Sequence, residues 1–438
     1  MPNLRGAIMK NSKIKLSLLA FMSIALVGCG NKTSETPADS GKTDGATSES
    51  TSEAELTGVA KVIKDAEGMH YDEIVTKAKE EVGDGEVKIF GNSSSIEKAC
   101  TSFTELTGIK FTYTKVGDSD LYKDLSASIP AGTYTADFVF CQDANMMKTT
   151  MLDKGYLLNY TPLDYKDVLS SDDLNPTGGI AFNKVFMYNN TDYDGTNADT
   201  ASAGKVTNLL TNVWQVAGTN ADEGHISGVS FKDPDQELIN KNMLIMLTAP
   251  KYVEKLTEAY KAYYGKDYAG DDDYENIGYK FIAEFLNNTV AHSSDGTECK
   301  NLAAGLSSKM AYVNYNKVKD CKGSGVGAED AANLTIAAME TEVKGFAGFV
   351  YKMYPLIPQN AKYPYAACAF ENYILSENGY QSGWTGMKGY YSVNPNNAVA
   401  DGDKELSWWK GCCVVEDASY ITENYDEVSE FISTNKKA

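Results

Sequence analysis

From residue 71 onward, apolar positions recur with two alternating periods. Tyr71, Ile74, Val75 and Ala78 share one helical face, and Gly83-Asp84-Gly85 ends that helix. Glu86 to Phe90 is a short β-rich run. Gly91-Asn92-Ser93-Ser94-Ser95 then turns into a helix through Cys100 to Leu106, and Gly108 to Tyr113 reads as the next strand. Leu121 to Ile129 predicts a further helix and Ala136 to Phe140 a third strand. Strand and helix alternate here as in a parallel open sheet, whose ligands bind beyond the carboxyl ends of the strands. The alternation resumes after Val185 to Tyr188, a strand, and a polar loop reaching about Gly204. Gly224 to Phe231 predicts a strand, Lys232-Asp233-Pro234 a turn and Asp235 to Leu247 a helix. Tyr252 to Tyr264 and Tyr279 to Leu286 follow as amphipathic helices, and Met310 to Tyr315 as a strand. Gly345 to Ile357 is a long apolar strand pair or crossover, and Tyr365 to Leu375 and Glu423 to Ile432 are helices.

The first 55 residues follow neither period. Arg5, Lys10, Lys13 and Lys15 precede an apolar stretch from Leu16 to Val27, about a dozen residues and too short to span a bilayer, as in an export signal. It ends in Leu26-Val27-Gly28-Cys29, which resembles the lipobox of bacterial lipoproteins, in which the cysteine is acylated. Residues 1–28 are thus expected to be a lipoprotein signal peptide. Residues 29–55, rich in Ser, Thr, Gly, Asp and Glu, are expected to be a lipidated Cys29 and a disordered tether.

Composition narrows what the body, from about Leu56 to Ala438, can do. The net charge is −20, and loss of the four signal cations takes it to −24. Such acidity, without clustered Lys and Arg, excludes nucleic acid as a partner. No later apolar run reaches transmembrane length. Apart from Cys29, the seven cysteines have no metal-ligand spacing; Cys299 with Cys321 could form a disulfide, and free buried thiols are the alternative. The three histidines, His70, His225 and His292, fit no zinc motif, and no nucleophile elbow, Walker loop or dinucleotide fingerprint follows a strand. The chain therefore reads as a non-enzyme without cofactor or resident metal.

Two turns carry candidate chemistry. Asn92, Ser93, Ser94 and Ser95 lie between a strand end and a helix start, where free N–H groups and the helix dipole favour an anion or a hydroxyl. Ser94 with Glu97 three residues on is equally a capping box that needs no ligand. Asp118 and Ser119, in Gly117-Asp118-Ser119-Asp120, open the next helix with carboxylates suited to an amine or a cation. A solute carrying both a cationic and an anionic or hydroxyl part would satisfy both turns.

Taken in order, these segments resemble the type II extracellular solute-binding proteins of ABC importers, the group that includes ferric-ion, polyamine and phosphonate-type binders. The resemblance rests on Glu86 to Ser95, Phe103 to Lys110 and Ala136 to Phe140, on Val185 to Asn189, and on Asn212-Val213-Trp214 with Gly224 to Pro234. It continues through Gly345 to Pro358, Asn360 to Tyr365 and Phe370 to Gly379. It implies an α/β, two-lobed type II periplasmic-binding-protein fold with a hinge and an interlobe cleft. Residues 56–188 would begin lobe 1 and 189–344 lobe 2; 345–388 would return to lobe 1, and 389–438 would pack on lobe 2. It adds Gln142 and Asp143 beyond the third strand to the lobe 1 candidates, and Asp235, Gln236, Tyr312 and Tyr315 as lobe 2 candidates. Ferric binders place two adjacent tyrosines where this chain has Tyr312 and Tyr315, and residues three apart on a strand face opposite sides. Tyr390-Tyr391 reads as hinge or rim packing. The implied role is capture of a small solute and its delivery to a membrane permease by a monomer tethered through Cys29 to the outer face of a bacterial membrane. The rival readings are a surface adhesion or structural lipoprotein, which would show repeats or regular β-sandwich spacing, and a secreted hydrolase.

Overall fold

The computed structural model describes residues 56–190, 210–220, 223–308, 310–321 and 331–436. The signal segment, Cys29, the tether and most of the loop expected after Tyr188 lie outside them. Along the described chain the strands are β1 (Val87–Gly91), β2 (Phe111–Lys115), β3 (Phe138–Cys141), β4 (Leu157–Leu158), β5 (Ile180–Asn189) and β6 (Val229–Lys232). They continue as β7 (Thr289–His292), β8 (Met310–Asn314), β9 (Leu334–Ile336), β10 (Gly348–Pro358), β11 (Tyr390–Ser392) and β12 (Val414–Val415).

The sheet order is β2-β1-β3-β10-β5-β8-β6-β7. β1 is parallel to β2 and β3 at one end, and β6 is parallel to β7 and β8 at the other. β10 and β5 run between these parallel halves, antiparallel to each other and to their flanking strands. Both are buried along their whole length, which explains their near-continuous apolar runs. Each nevertheless carries one lysine matched by an aspartate: Lys184 Nζ lies 3.2 Å from Asp295, and Lys352 Nζ 3.3 Å from Asp173.

Aromatic clusters pack both halves. Phe103 meets Phe111 and Phe370 edge to face on the β1 side. Trp214 meets Phe281, and Phe231 meets Phe285, on the β6 side. Helix Pro364–Leu375 is buried at all but one of its twelve positions against the helices Gly58–Ala66 and Tyr71–Val82. The C-terminal segment reaches further than one half. β11 pairs with β5 and β12 with β10. Helix Ala418–Asn435 packs on Leu238–Met246 and Ile277–Asn288 of the second half and also on the turn after β3, Ala144 to Leu152. No described helix is long and apolar enough to cross a membrane.

Candidate functional site

The carboxyl end of β1 meets the helix Ser94–Thr107 at a tight corner. A side chain at Gly91 would put its Cβ 2.7 Å from Ile96 and 3.2 Å from Phe140, so only glycine lets the strand end so close to its neighbours. Ser93 caps the helix, its hydroxyl accepting the Ser95 N–H at 3.3 Å. The capping box expected from Ser94 and Glu97 is therefore shifted: Ser94 is the first helical residue and Ser93 the cap. Asn92 donates to Gln142 at 2.6 Å and to Asp118 at 3.5 Å. Asp118 in turn accepts the backbone N–H groups of Gln142 and Asp143, both at 2.8 Å. Asp118 thus ties the ends of β1 and β3 into one rigid edge. Burial pushes its carboxyl up to about 6; the two N–H donors hold the rise back, and the nearby charges of Asp143 and Glu237 add to it.

The opposing edge is built from the end of β8 and the segment after it. Asn314 ends β8, and both its backbone N–H and its amide donate to Asp295 at 3.0 Å. Its amide oxygen accepts from Tyr351 of β10 at 2.8 Å. Asp295 also pairs with Lys184 and hydrogen-bonds His292, and the Lys184 charge, followed by the His292 and Asn314 hydrogen bonds, holds its carboxyl well below the usual range despite burial. Asn314 is therefore locked from behind. The chain then tightens into a 3-10 helix, Tyr315–Cys321, which presents Asn316, Lys317, Lys319 and Asp320. Lys319 donates to the Tyr390 hydroxyl at 2.8 Å and stands 4.7 Å over that ring; burial lowers its ammonium's pKa. Gly389, at φ 74°, lets Tyr390 approach, since a Cβ there would lie 2.5 Å from the Asn316 nitrogen.

Between these edges lies a cleft of about 510 Å³, floored by Phe182 and Tyr351, whose rings stack at 5.3 Å. Asn92, Ser93, Ser94, Lys115 and Gln142 face it from one side; Glu237, Ile239, Asn314 and the 3-10 helix face it from the other. It combines three cations, Lys115, Lys317 and Lys319, with two anions, Glu237 and Asp320. Lys317 is 3.7 Å from Asp320 and Glu237 is 2.8 Å from Lys232. A larger cavity of about 600 Å³ opens on the other face of β10, beside Lys352, Tyr354 and Glu416. The first cleft is the stronger candidate, because it sits beyond the carboxyl ends of the parallel strands of both halves, where open α/β sheets take their ligands.

The candidates read from sequence divide accordingly. Asn92, Ser93, Ser94 and Gln142 line the cleft, and Asp118 braces it from behind. Ser95 is buried in the helix, and Ser119 is exposed outside the cleft. Asp143 is buried and bridges the halves, accepting from Asn242 at 3.4 Å. Asp235 and Gln236 miss the cleft, because the helix starts at Leu238; Asp235 pairs instead with Lys241 at 2.7 Å and with Lys436. Tyr312 is fully buried against Phe186 and Phe231. Tyr315 begins the 3-10 helix and packs on Met339 and Trp409. Neither tyrosine lines the cleft. Tyr390 lines the rim and Tyr391 is buried on Asp403. The sequence reading missed Asn314, Lys317, Lys319 and Glu237. Among the described residues no three His, Cys, Asp or Glu side chains cluster as metal ligands, and no disulfide joins the described cysteines, so the Cys299–Cys321 bridge weighed from the sequence is not formed.

No protein-family model and no curated protein matches this sequence. Solved structures do match in fold. The ferric binding protein from Campylobacter jejuni superposes with a TM-score of 0.55 at 15% identity, over 80% of this chain and 99% of its own. The Mannheimia haemolytica ferric iron-binding protein A, in an open conformation, gives 0.54 at 12%, over 80% and 98%. A GABA receptor gives 0.54 at 14%, over 81% and 98%. The chain thus has the two-lobed α/β fold of periplasmic solute-binding proteins.

Proposed function

We propose that this protein is the lipid-anchored, extracytoplasmic solute-binding component of an ABC importer, holding a small polar solute between its halves and passing it unchanged to a membrane permease. The observation that carries the reading is the cleft itself: polar side chains from two separate parallel strand sets converge on one solvent-filled gap, with crossover strands as its floor. Neighbours of this fold bind ligands as different as ferric iron and GABA, so the lining selects the solute. Here three lysines and the amides of Asn92 and Asn314 suit a carboxylate, phosphate or hydroxyl group, while Glu237 and Asp320 suit an ammonium. The favoured solute is therefore zwitterionic or amino-hydroxylated. The Cys29 anchor, the tether and the permease follow from the N-terminal pattern and from this role, with the chain acting as a monomer.

The test is a thermal-shift screen of amino acids, polyamines, phosphonates, sugar phosphates and ferric citrate. A solute at about one hundred times its Kd stabilises the folded state by about 2.7 kcal/mol. One class should raise the melting temperature saturably, and Lys319→Met should abolish the rise. Conversion of the bound solute, or a shift untouched by Lys319→Met and Asn92→Ala together, would overturn the proposal.

A further inference from the structure

The cavity of about 600 Å³ on the other face of β10 is built around one carboxyl group. Residues two apart on a strand share a face, so Lys352 and Tyr354 line this cavity while Tyr351 floors the cleft. Glu416, next after β12, lines it too and is only 5% exposed. Its Oε2 accepts the Tyr354 hydroxyl at 2.8 Å and the Lys352 backbone N–H at 3.3 Å. Its Oε1 is buried and has no hydrogen-bond partner among the described residues. A carboxylate oxygen in that position is costly unless something donates to it. The aromatic walls around it are fixed by their hydroxyls: Tyr252 accepts the Val415 N–H at 2.7 Å, and the Tyr420 hydroxyl lies 3.0 Å from that of Thr248.

The charges favour a cation there. Asp173 holds both Lys352 and Lys410, so that Asp173 and Glu416 together balance the two lysines. At the rim Asp172 and Asp417 stand against Lys251 alone, which leaves one negative charge in excess. The two helices that start at the cavity already spend N–H groups of their first turns: Asp417 accepts those of Ser419 and Tyr420, and the Ala249 carbonyl those of Tyr252 and Val253. An anion would therefore gain little from either helix start, whereas an ammonium would meet a carboxylate oxygen and tyrosine faces. We propose that this cavity is a second ligand site, separate from the cleft, which takes a primary ammonium carried on a small apolar body, the ammonium donating to Glu416 Oε1 and the body packing among Tyr252, Tyr354 and Met246.

The experiment is equilibrium dialysis of the full chain at pH 8, above the value of about 7 to which burial pushes the Glu416 carboxyl. Three probes of one shape are compared: 2-phenylethylamine, 2-phenylethanol and phenylacetate. The amine should bind saturably, and the alcohol and the acid about tenfold or more weakly, the difference expected for a charge-assisted hydrogen bond. Glu416→Gln, which keeps an acceptor for Tyr354, should weaken the amine by about the same factor. Ser419→Trp, at the exposed mouth of the cavity, should block it at an unchanged urea midpoint, and circular dichroism checks that both variants are folded. Equal affinity for the amine and the alcohol would mean an apolar fit without recognition of charge. Undiminished amine binding in either folded variant would place the amine elsewhere, and absence of saturable binding would leave Glu416 Oε1 to water; each of these results would overturn the proposal.

Discussion

At the scale of single residues, Asp118 and the serines of the first turn separate binding from bracing. Asp118→Ala leaves the Gln142 and Asp143 N–H groups without their acceptor. Hydrogen bonds to a charged group are worth about 1.5–3 kcal/mol, so a loss of about 2–3 kcal/mol is expected in urea unfolding at constant m value. Ser93→Ala removes the helix cap and should cost about 0.5–2 kcal/mol. Ser94→Ala removes a hydroxyl that caps nothing and should stay within about 0.5 kcal/mol. If Ser94→Ala were the costlier of the two serine variants, the cap would belong to Ser94. Loss of ligand response in Asp118→Ala would therefore report a collapsed edge, whereas the same loss in Ser94→Ala would report contact with solute.

At the scale of elements, the crossover strands decide whether the two halves hold a common shape. β5 carries Lys184 into a fully buried position between Asp295 and Asn240, the latter accepting at 2.7 Å. Lys184→Met would leave the Asp295 carboxylate with His292 and Asn314 alone, and breaking a buried pair in this way costs about 3–5 kcal/mol. Lys115→Met, on the exposed cleft rim, should change the unfolding free energy by no more than about 0.5 kcal/mol; equal costs would show that Lys184 is not the internal counter-ion of Asp295. The same lysine shows where the sequence stops being legible. β1 and β3 could be read because their apolar runs are short and bounded by Gly, Asn and Asp. β5 looked like Val185 to Tyr188 but spans Ile180–Asn189, since Asn183 and Lys184 break the apolar run and only distant partners make them tolerable inside. The helix expected from Asp235 begins at Leu238, because the Gln236 and Glu237 N–H groups close a turn on the Asp233 carbonyl instead. Tyr312 and Tyr315 lie away from the cleft for a comparable reason. β8 stops at Asn314, and the following 3-10 helix turns Lys317 and Lys319 into the cleft, a choice fixed by packing against Gly389 and helix Asp295–Ala303 and not by local pattern. One cleft edge was thus visible in sequence and the other was assembled by tertiary contacts.

At the scale of the whole molecule, the halves are joined by β5, β10, the C-terminal helix and the Asp143–Asn242 contact, and buried carboxyl groups stand beside these joints. Burial pushes Glu416 up to about 7, against the pull of the Tyr354 hydroxyl and Lys352. It pushes Glu81 up to about 7 and Asp118 up to about 6. A carboxyl raised in the folded state binds protons there that the unfolded chain has already released, so its contribution to stability falls as pH rises from about 4, the unfolded value, through the folded value. Asp173 and Asp295 have the opposite sign. Lysine partners depress both, against burial, so their stabilisation is present above about pH 4 and lost as pH drops further. The two sets together place the stability maximum near pH 5, with a decline toward pH 8 that the chain's net charge of −20 reinforces by self-repulsion. Calorimetry of the ligand-free protein should therefore give a higher melting temperature at pH 5 than at pH 8. Glu416→Gln keeps an acceptor for Tyr354 while removing the titrating group, and should flatten the slope between about pH 4.5 and 7. A melting temperature that climbs steadily from pH 5 to pH 8 would mean that these carboxyl groups are ionised without penalty, and that the joint between the halves is wetter than its burial indicates.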